Sequence, residues 1–302
     1  MPRLLIPIIM MLLTCLPLAG HAQEVVIVQS ASYKPYEEAV GGFISEIATL
    51  SSSRGVKSIQ PVAPTTYLLK KSQSTEDLNR EIDTQGPHLI LAVGDKAFSA
   101  VSSRKEPIIF LLAPKAGKLA KLPPNITGIR MAPCASEQLL EISTSLPKVK
   151  RVGTVFNPDK TGNMVEKAEK TAKDNGLELL ASSTDNPRKV ASLLDKMKGN
   201  IDAFWMLPDH SLINPVTLDL IILFSMENRI PVVTFASKYL RNGAAMAVFA
   251  SPEDMGRQAA DLSKKILTDG LGNNHVPEYA KRLKVMANKP ILKKLGVEVN
   301  LE

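Results

Sequence analysis

Polar and aromatic residues gather directly behind apolar runs at six points in the chain. Gln29-Ser30-Ala31-Ser32-Tyr33 follows the run at 25–28, Gly94-Asp95 follows 88–93, and Ala113-Pro114-Lys115 follows 107–112. In the second half Asn157-Pro158-Asp159, Pro208-Asp209-His210 and Ala236-Ser237-Lys238-Tyr239 repeat the arrangement. Hydroxyls at Ser30, Tyr33 and Ser237, carboxylates at Asp95 and Asp209 and the amide of Asn157 suit recognition of a small polar molecule by hydrogen bonds and charge. Asp209 is the strongest candidate for a ligand ammonium or hydroxyl. Ser30, or the helix start at Gly94-Asp95, suits another polar end, because backbone N–H groups at a helix start attract anions. Plainer roles stand beside these. Ser30, Ser32 and Asp95 suit helix capping equally well, and Asp209 suits a cap for the helix near Asn214. Asn157-Pro158 has the composition of a turn, and His210 that of an ordinary loop.

Signatures of catalysis and metal binding are missing. No G-x-G-x-x-G follows the first apolar run and no G-x-x-x-x-G-K-[ST] occurs. There is no G-x-S-x-G elbow. The four histidines, at 21, 88, 210 and 275, are too far apart for a local metal pair, and two cysteines rule out a four-cysteine zinc site. No cofactor is implied.

The elements that must hold these loops alternate in kind. Strand-like runs lie at 25–28, 88–93, 107–112, 126–130, 151–156, 177–182, 201–207, 230–235, 244–249 and 281–286. Amphipathic helical stretches lie at 36–50, 74–82, from 95 to 101, 137–146, 162–175, 187–197, 215–228 and 252–267. Near-continuous apolar strands separated by helices signal parallel sheets covered on both faces. Two such series predict an α/β protein of two doubly wound lobes joined near 128–133. In that fold ligands sit at the carboxyl ends of strands, where the polar loops fall.

Composition agrees with a folded chain. Of 302 residues, 44% are hydrophobic and 22% charged, and the net charge is +7. Lysines and arginines are spread in short pairs such as Lys70-Lys71, without interleaved aromatics, so the charge reads as solvated surface and not as a nucleic-acid site. The first 22 residues place Arg3 before an uncharged run at 4–18 and end on Gly20-His21-Ala22. That is the layout of a secretory signal cleaved after Ala22. The run is short for a membrane span, and Thr14 before Cys15 fits a lipid-anchor site poorly. Cleavage would leave Cys134 as the one thiol of an exported, soluble protein.

Several segments resemble a known family in order and spacing. They are 25–30 with Tyr33 and Tyr36 ahead of Gly42-Phe43; Leu91-Ala92-Val93-Gly94; Asn125-Ile126-Thr127-Gly128; and 150–158. They continue with 203–209, Asn228-Arg229-Ile230-Pro231-Val232, 237–244 and 254–260. The set is similar to the ABC-transporter substrate-binding proteins, in the branch whose members bind tryptophan or tyrosine. The resemblance implies a type I periplasmic-binding-protein fold: two Rossmann-like lobes, three crossovers and an interlobe cleft. It implies a first lobe of 23–131 plus 251–274 and a second of 132–250 plus 275–302. It carries ligand contact onto Ser30, Tyr33, Gly94, Asp95, Asn157, Asp209, Phe235 and Ser237. The chain departs from the family where Gly94-Asp95 replaces a common Gly-Thr pair and where 111–115 carries Lys115. The implied activity is non-enzymatic: a periplasmic monomer that closes on a small molecule and delivers it to permease subunits. A sensory protein feeding a membrane receptor or kinase would share these features. An exported hydrolase would instead need a Ser or Asp beside His88 or His210.

Overall fold

Short apolar strands, each bounded by turn residues, assemble into two separate sheets in the computed structural model, which describes residues 23–52, 62–70, 72–117, 119, 121–131, 133–271 and 276–301. The expected export signal at 1–22, with Cys15, lies outside the described residues, as does His275. The first sheet is built from β1 (Gln23–Gln29), α1 (Lys34–Ser52), β2 (Val62–Leu68), α2 (Thr75–Asp83), β3 (Leu89–Val93), α3 (Asp95–Val101), β4 (Ile108–Leu111), α4 (Pro114–Gly117) and β5 (Ile126–Arg130). The second follows with α5 (Ala135–Ser145), β6 (Arg151–Phe156), α6 (Pro158–Asp174), β7 (Glu178–Ser183), α7 (Val190–Met197), β8 (Ala203–Trp205), α8 (Pro215–Asn228), β9 (Val232–Thr234) and β10 (Met246–Phe249). The chain closes with α9 (Pro252–Asp269), β11 (Glu278–Tyr279), β12 (Lys284–Ala287) and α10 (Lys289–Leu295).

Strand order is β2-β1-β3-β4-β5-β11 in the first sheet and β7-β6-β8-β9-β10-β12 in the second. All pairings are parallel except β10 with β12. Central strands explain their apolar composition: every residue of β3 and β4 is buried, because helices cover both faces. Val25 and Ile27 face one core and Val26 and Val28 the other, as period-two alternation requires. The sheet order reverses between β1 and β3 and again between β6 and β8. Each lobe therefore has its switch point beside a polar loop singled out from sequence.

Strand pairing and helix capping depart from the expected elements at three places. β2 was not anticipated, because Pro64 and two threonines break its apolar run. It survives as an edge strand, where a missing N–H is tolerated. α6 starts at Pro158 and not at 162, since Asn157 caps it by accepting the Asp159 amide at 3.0 Å. The chain was also expected to return to the second lobe at 275, yet β11 pairs with β5 in the first sheet. Gln258 of α9 holds that strand: its Nε2 donates to Glu278 and to the Tyr279 carbonyl at 2.9 and 3.0 Å, and its Oε1 accepts the Lys281 amide at 2.9 Å. The final crossing thus falls between 281 and 284.

Helix α9 follows the second series in sequence but packs on the first sheet. Met255, Ala259, Leu262 and Ile266 join Val40, Phe43 and Ile47 of α1 in one core. The two helices approach backbone to backbone. A Cβ on Gly42 would run into the Glu253 carbonyl, and one on Gly256 into the Ala39 carbonyl.

Candidate functional site

At the carboxyl edge of the first sheet the chain turns sharply after β1. The Ser30 amide donates to the Val93 carbonyl at 2.9 Å, and its Oγ accepts the Ala97 amide at 2.8 Å. The hydroxyl therefore caps α3 from across the switch point, although its own hydrogen can still be donated. Gly94 lies between, with φ of 90°, a backbone conformation that suits glycine. A Cβ there would stand 2.5 Å from Ser30 Oγ and 2.8 Å from the Tyr36 ring. Ser30, Gly94 and Tyr36 thus form one tightly packed set.

Tyr36 was not among the site residues expected from sequence, since it reads as the start of an amphipathic helix. The structure places its ring edge-to-face with Tyr33, centroids 5.4 Å apart. Burial, then the neighbouring Asp95 and Tyr33, push the Tyr36 phenol above its ordinary pKa. Tyr33 itself is 58% exposed. Asp95 opens α3, and its Oδ1 accepts the Lys115 amide at 2.9 Å. That bond ties the loop after β3 to the loop after β4, where Leu112 adopts φ of 51°. A leucine in the left-handed region is strained, a feature that gathers at binding loops and that residue type alone does not reveal.

The second sheet presents a different arrangement. Asp209, expected to meet a ligand ammonium, is only 2% exposed. Its Oδ2 accepts the Asn157 amide at 3.1 Å and the Thr161 hydroxyl at 3.3 Å. Its Oδ1 accepts both the amide and the hydroxyl of Ser211, at 2.9 and 2.6 Å. Asn157 completes the ring by donating from Nδ2 to Ser211 Oγ at 3.1 Å. A carboxylate has about four acceptor positions, and the chain fills them. Asp209 does not cap α8 either. Asn214 does so, in a reciprocal capping box with Thr217.

Phe235 and Ser237 lie just beyond β9 and are half-buried. The Phe235 ring packs edge-on against Tyr239 at 5.3 Å, and the Lys238 ammonium sits 4.8 Å from the Tyr239 centroid. Phe204 and Trp205 are buried in opposite cores, so neither reaches the sheet edge. Neither of the two described histidines assembles a nucleophile. His88 precedes β3, at the amino edge, and accepts the Glu24 amide through Nδ1 at 3.3 Å. His210 is exposed, and its neighbours Asp209 and Ser211 bond to one another. Among the described residues no three His, Cys, Asp or Glu side chains cluster as a metal site. No described helix is long and apolar enough to cross a membrane.

Two doubly wound lobes with polar loops at both switch points define the type I periplasmic-binding-protein class. The chain belongs to the family of ABC transporter substrate binding proteins, whose model matches residues 25–302. By sequence it matches none of the curated proteins. Its fold is similar to a ligand-free, open substrate binding protein with adhesive properties from Clostridium difficile: TM-score 0.68, 19% identity, covering 92% of this chain and 96% of that one. It is also similar to an ABC domain in complex with L-Trp from Streptococcus pneumonia, with TM-score 0.53, 17% identity and coverage of 93% and 96%. A conserved domain protein from Vibrio cholerae gives TM-score 0.53 at 19% identity, covering 93% and 96%.

Proposed function

We propose that the protein is the exported solute-binding component of an ABC-type importer, and that it works as a monomer without catalysis. The observation that carries this reading is the pair of switch points. In each lobe the loops most able to recognise a ligand sit where the strand order reverses, and the lobes are joined by short connecting segments, such as 250–251 and 280–283, that can act as a hinge. Ser30, Tyr33, Gly94 and Asp95 would form one wall of the cleft, and Asn157, Phe235 and Ser237 the other. Asp209 would serve that second wall by fixing the Asn157 and Ser211 loops, not by touching ligand. Aromatic side chains on both walls suit a ligand with a flat apolar body, and L-tryptophan, bound by one structural relative, belongs in the first panel of candidates. Ligand would favour the closed form only to the extent that it binds that form better. The closed face would then be read by the permease subunits. Residues 1–22 and the family both support export.

The test is to purify the protein, denature it, and identify by mass spectrometry any small molecule it releases, then to titrate that compound back. A single compound that rebinds at one per chain is the expected outcome. Hydrolysis of the compound during incubation would overturn the non-catalytic reading.

A further inference from the structure

Two carboxylates stand at the carboxyl edges of the two sheets, and their surroundings differ. Asp209 is closed off by four internal donors. Among the described residues Asp95 accepts one hydrogen bond, from the Lys115 amide to Oδ1, and is half-buried. Among the described residues no lysine or arginine forms an ion pair with it. The second oxygen, with no partner among the described residues, is free to accept a donor or cation from a ligand. Beside it lies the Tyr36 ring, which packs against the adjacent Gly94, and beyond that ring lies Tyr33. Tyr36 is near enough for the Asp95 charge to disfavour its ionisation, and Tyr33 is stacked edge-on against it with most of its surface open. Exposed aromatic faces attract ammonium groups.

We infer that the first wall of the cleft is a cation subsite: the ligand presents an ammonium group to the open oxygen of Asp95, with the Tyr33 and Tyr36 rings beside it. This rests on the binding-protein reading above and adds the charge class of the ligand. Positive charge on the ligand is the required feature, and a ligand carboxylate is not.

Three indole probes that share one ring system separate the contributions: L-tryptophan, tryptamine, which lacks the carboxylate, and indole-3-propionate, which lacks the ammonium. Choline and putrescine extend the cations beyond aromatics. Calorimetric titration of the full chain should show at least one ammonium-bearing probe binding, with indole-3-propionate at least tenfold weaker than tryptamine. Asp95→Asn should weaken the cation by tenfold or more while leaving the ligand-free melting temperature unchanged, because the amide oxygen can still accept from Lys115. Should that variant fail to fold, Tyr33→Ala provides the second reading, since its ring is exposed; it should weaken the same probe. Indole-3-propionate binding as well as tryptamine, or an unchanged cation affinity in both variants, would overturn the cation subsite and leave the binding-protein reading intact. So would release of an anionic or neutral compound from the purified protein with every cation silent. Silence from all probes, with no compound released, would overturn both.

Discussion

Asp95 and Asp209 occupy matching places, each just beyond a central strand at a switch point, yet Asp209 accepts four bonds from the chain and Asp95 one. Asp209 links the start of α6 to the loop after β8, so its loss takes away the acceptor of the Asn157 and Ser211 amides and leaves the Thr161 hydroxyl only the Asn157 carbonyl. Asp209→Ala should therefore lower the unfolding free energy in urea by about 1–3 kcal/mol, the cost of buried donors left unpaired. Asp209→Asn should lose less, because an amide oxygen can still accept. An unchanged midpoint in Asp209→Ala would show that the bonds around it carry no net stability. Residue type and position were enough to find both aspartates. They could not rank them, because the ranking depends on partners such as Thr161 and Ser211, which lie 48 and two positions away in sequence. Tyr36 escaped for a similar reason: its helical spacing is plain in sequence, while its contact with Gly94 exists only in three dimensions.

At the scale of elements, the α1–α9 contact is the joint that makes the first lobe one unit. Gly42 and Gly256 let the helix backbones meet, so Gly256→Ala must push them apart or distort them. Overpacking of this kind costs about 1–3 kcal/mol. Thermal unfolding should show the loss, whereas Gly41→Ala, with open space around it, should be near neutral. The last crossing carries a charge-dependent tie. Lys284 of β12 lies 3.4 Å from Asp254 in the first turn of α9, joining the second sheet to the first lobe. Burial opposes the Asp254 charge, but the Ser251 hydroxyl, Lys284 and Arg257 more than offset it and hold the carboxyl below its ordinary pKa. Burial likewise opposes the Glu278 charge, and bonds from Lys281 and Gln258 lower it in the same way. A depressed folded pKa contributes stability that is complete above the unfolded value and is lost as pH falls through the folded one. The protein should therefore lose stability below about pH 4, near the ordinary carboxylate range. Asp254→Asn should flatten that acid limb in urea titrations, and an identical limb in the variant would count against the tie. Most elements were legible in sequence because their periodicity is strong: the predicted bounds of β6 and α8 are the observed ones. β2 was hidden by Pro64, and β11 by its length of two residues, too short for any pattern.

The whole molecule is two sheets of matching order, each with a polar switch point, and a chain that crosses between them three times. Alternating strands and helices predicted the two lobes. The return of α9 to the first sheet could not be read from periodicity, since α9 has the same amphipathic pattern as helices that stay with their neighbours. It followed only from the resemblance of ordered motifs to a family. The central claim is that these lobes exist to bind a small molecule, and binding to the folded state must raise its stability. The most direct measurement is thermal denaturation across a library of amino acids, amines, sugars and organic acids. At 100 times its dissociation constant, a ligand should stabilise the fold by about 2.7 kcal/mol, with a shift that saturates on further addition. Such a shift is expected from at least one class, with ammonium-bearing compounds foremost. A melting curve that no class of small molecule moves would contradict it.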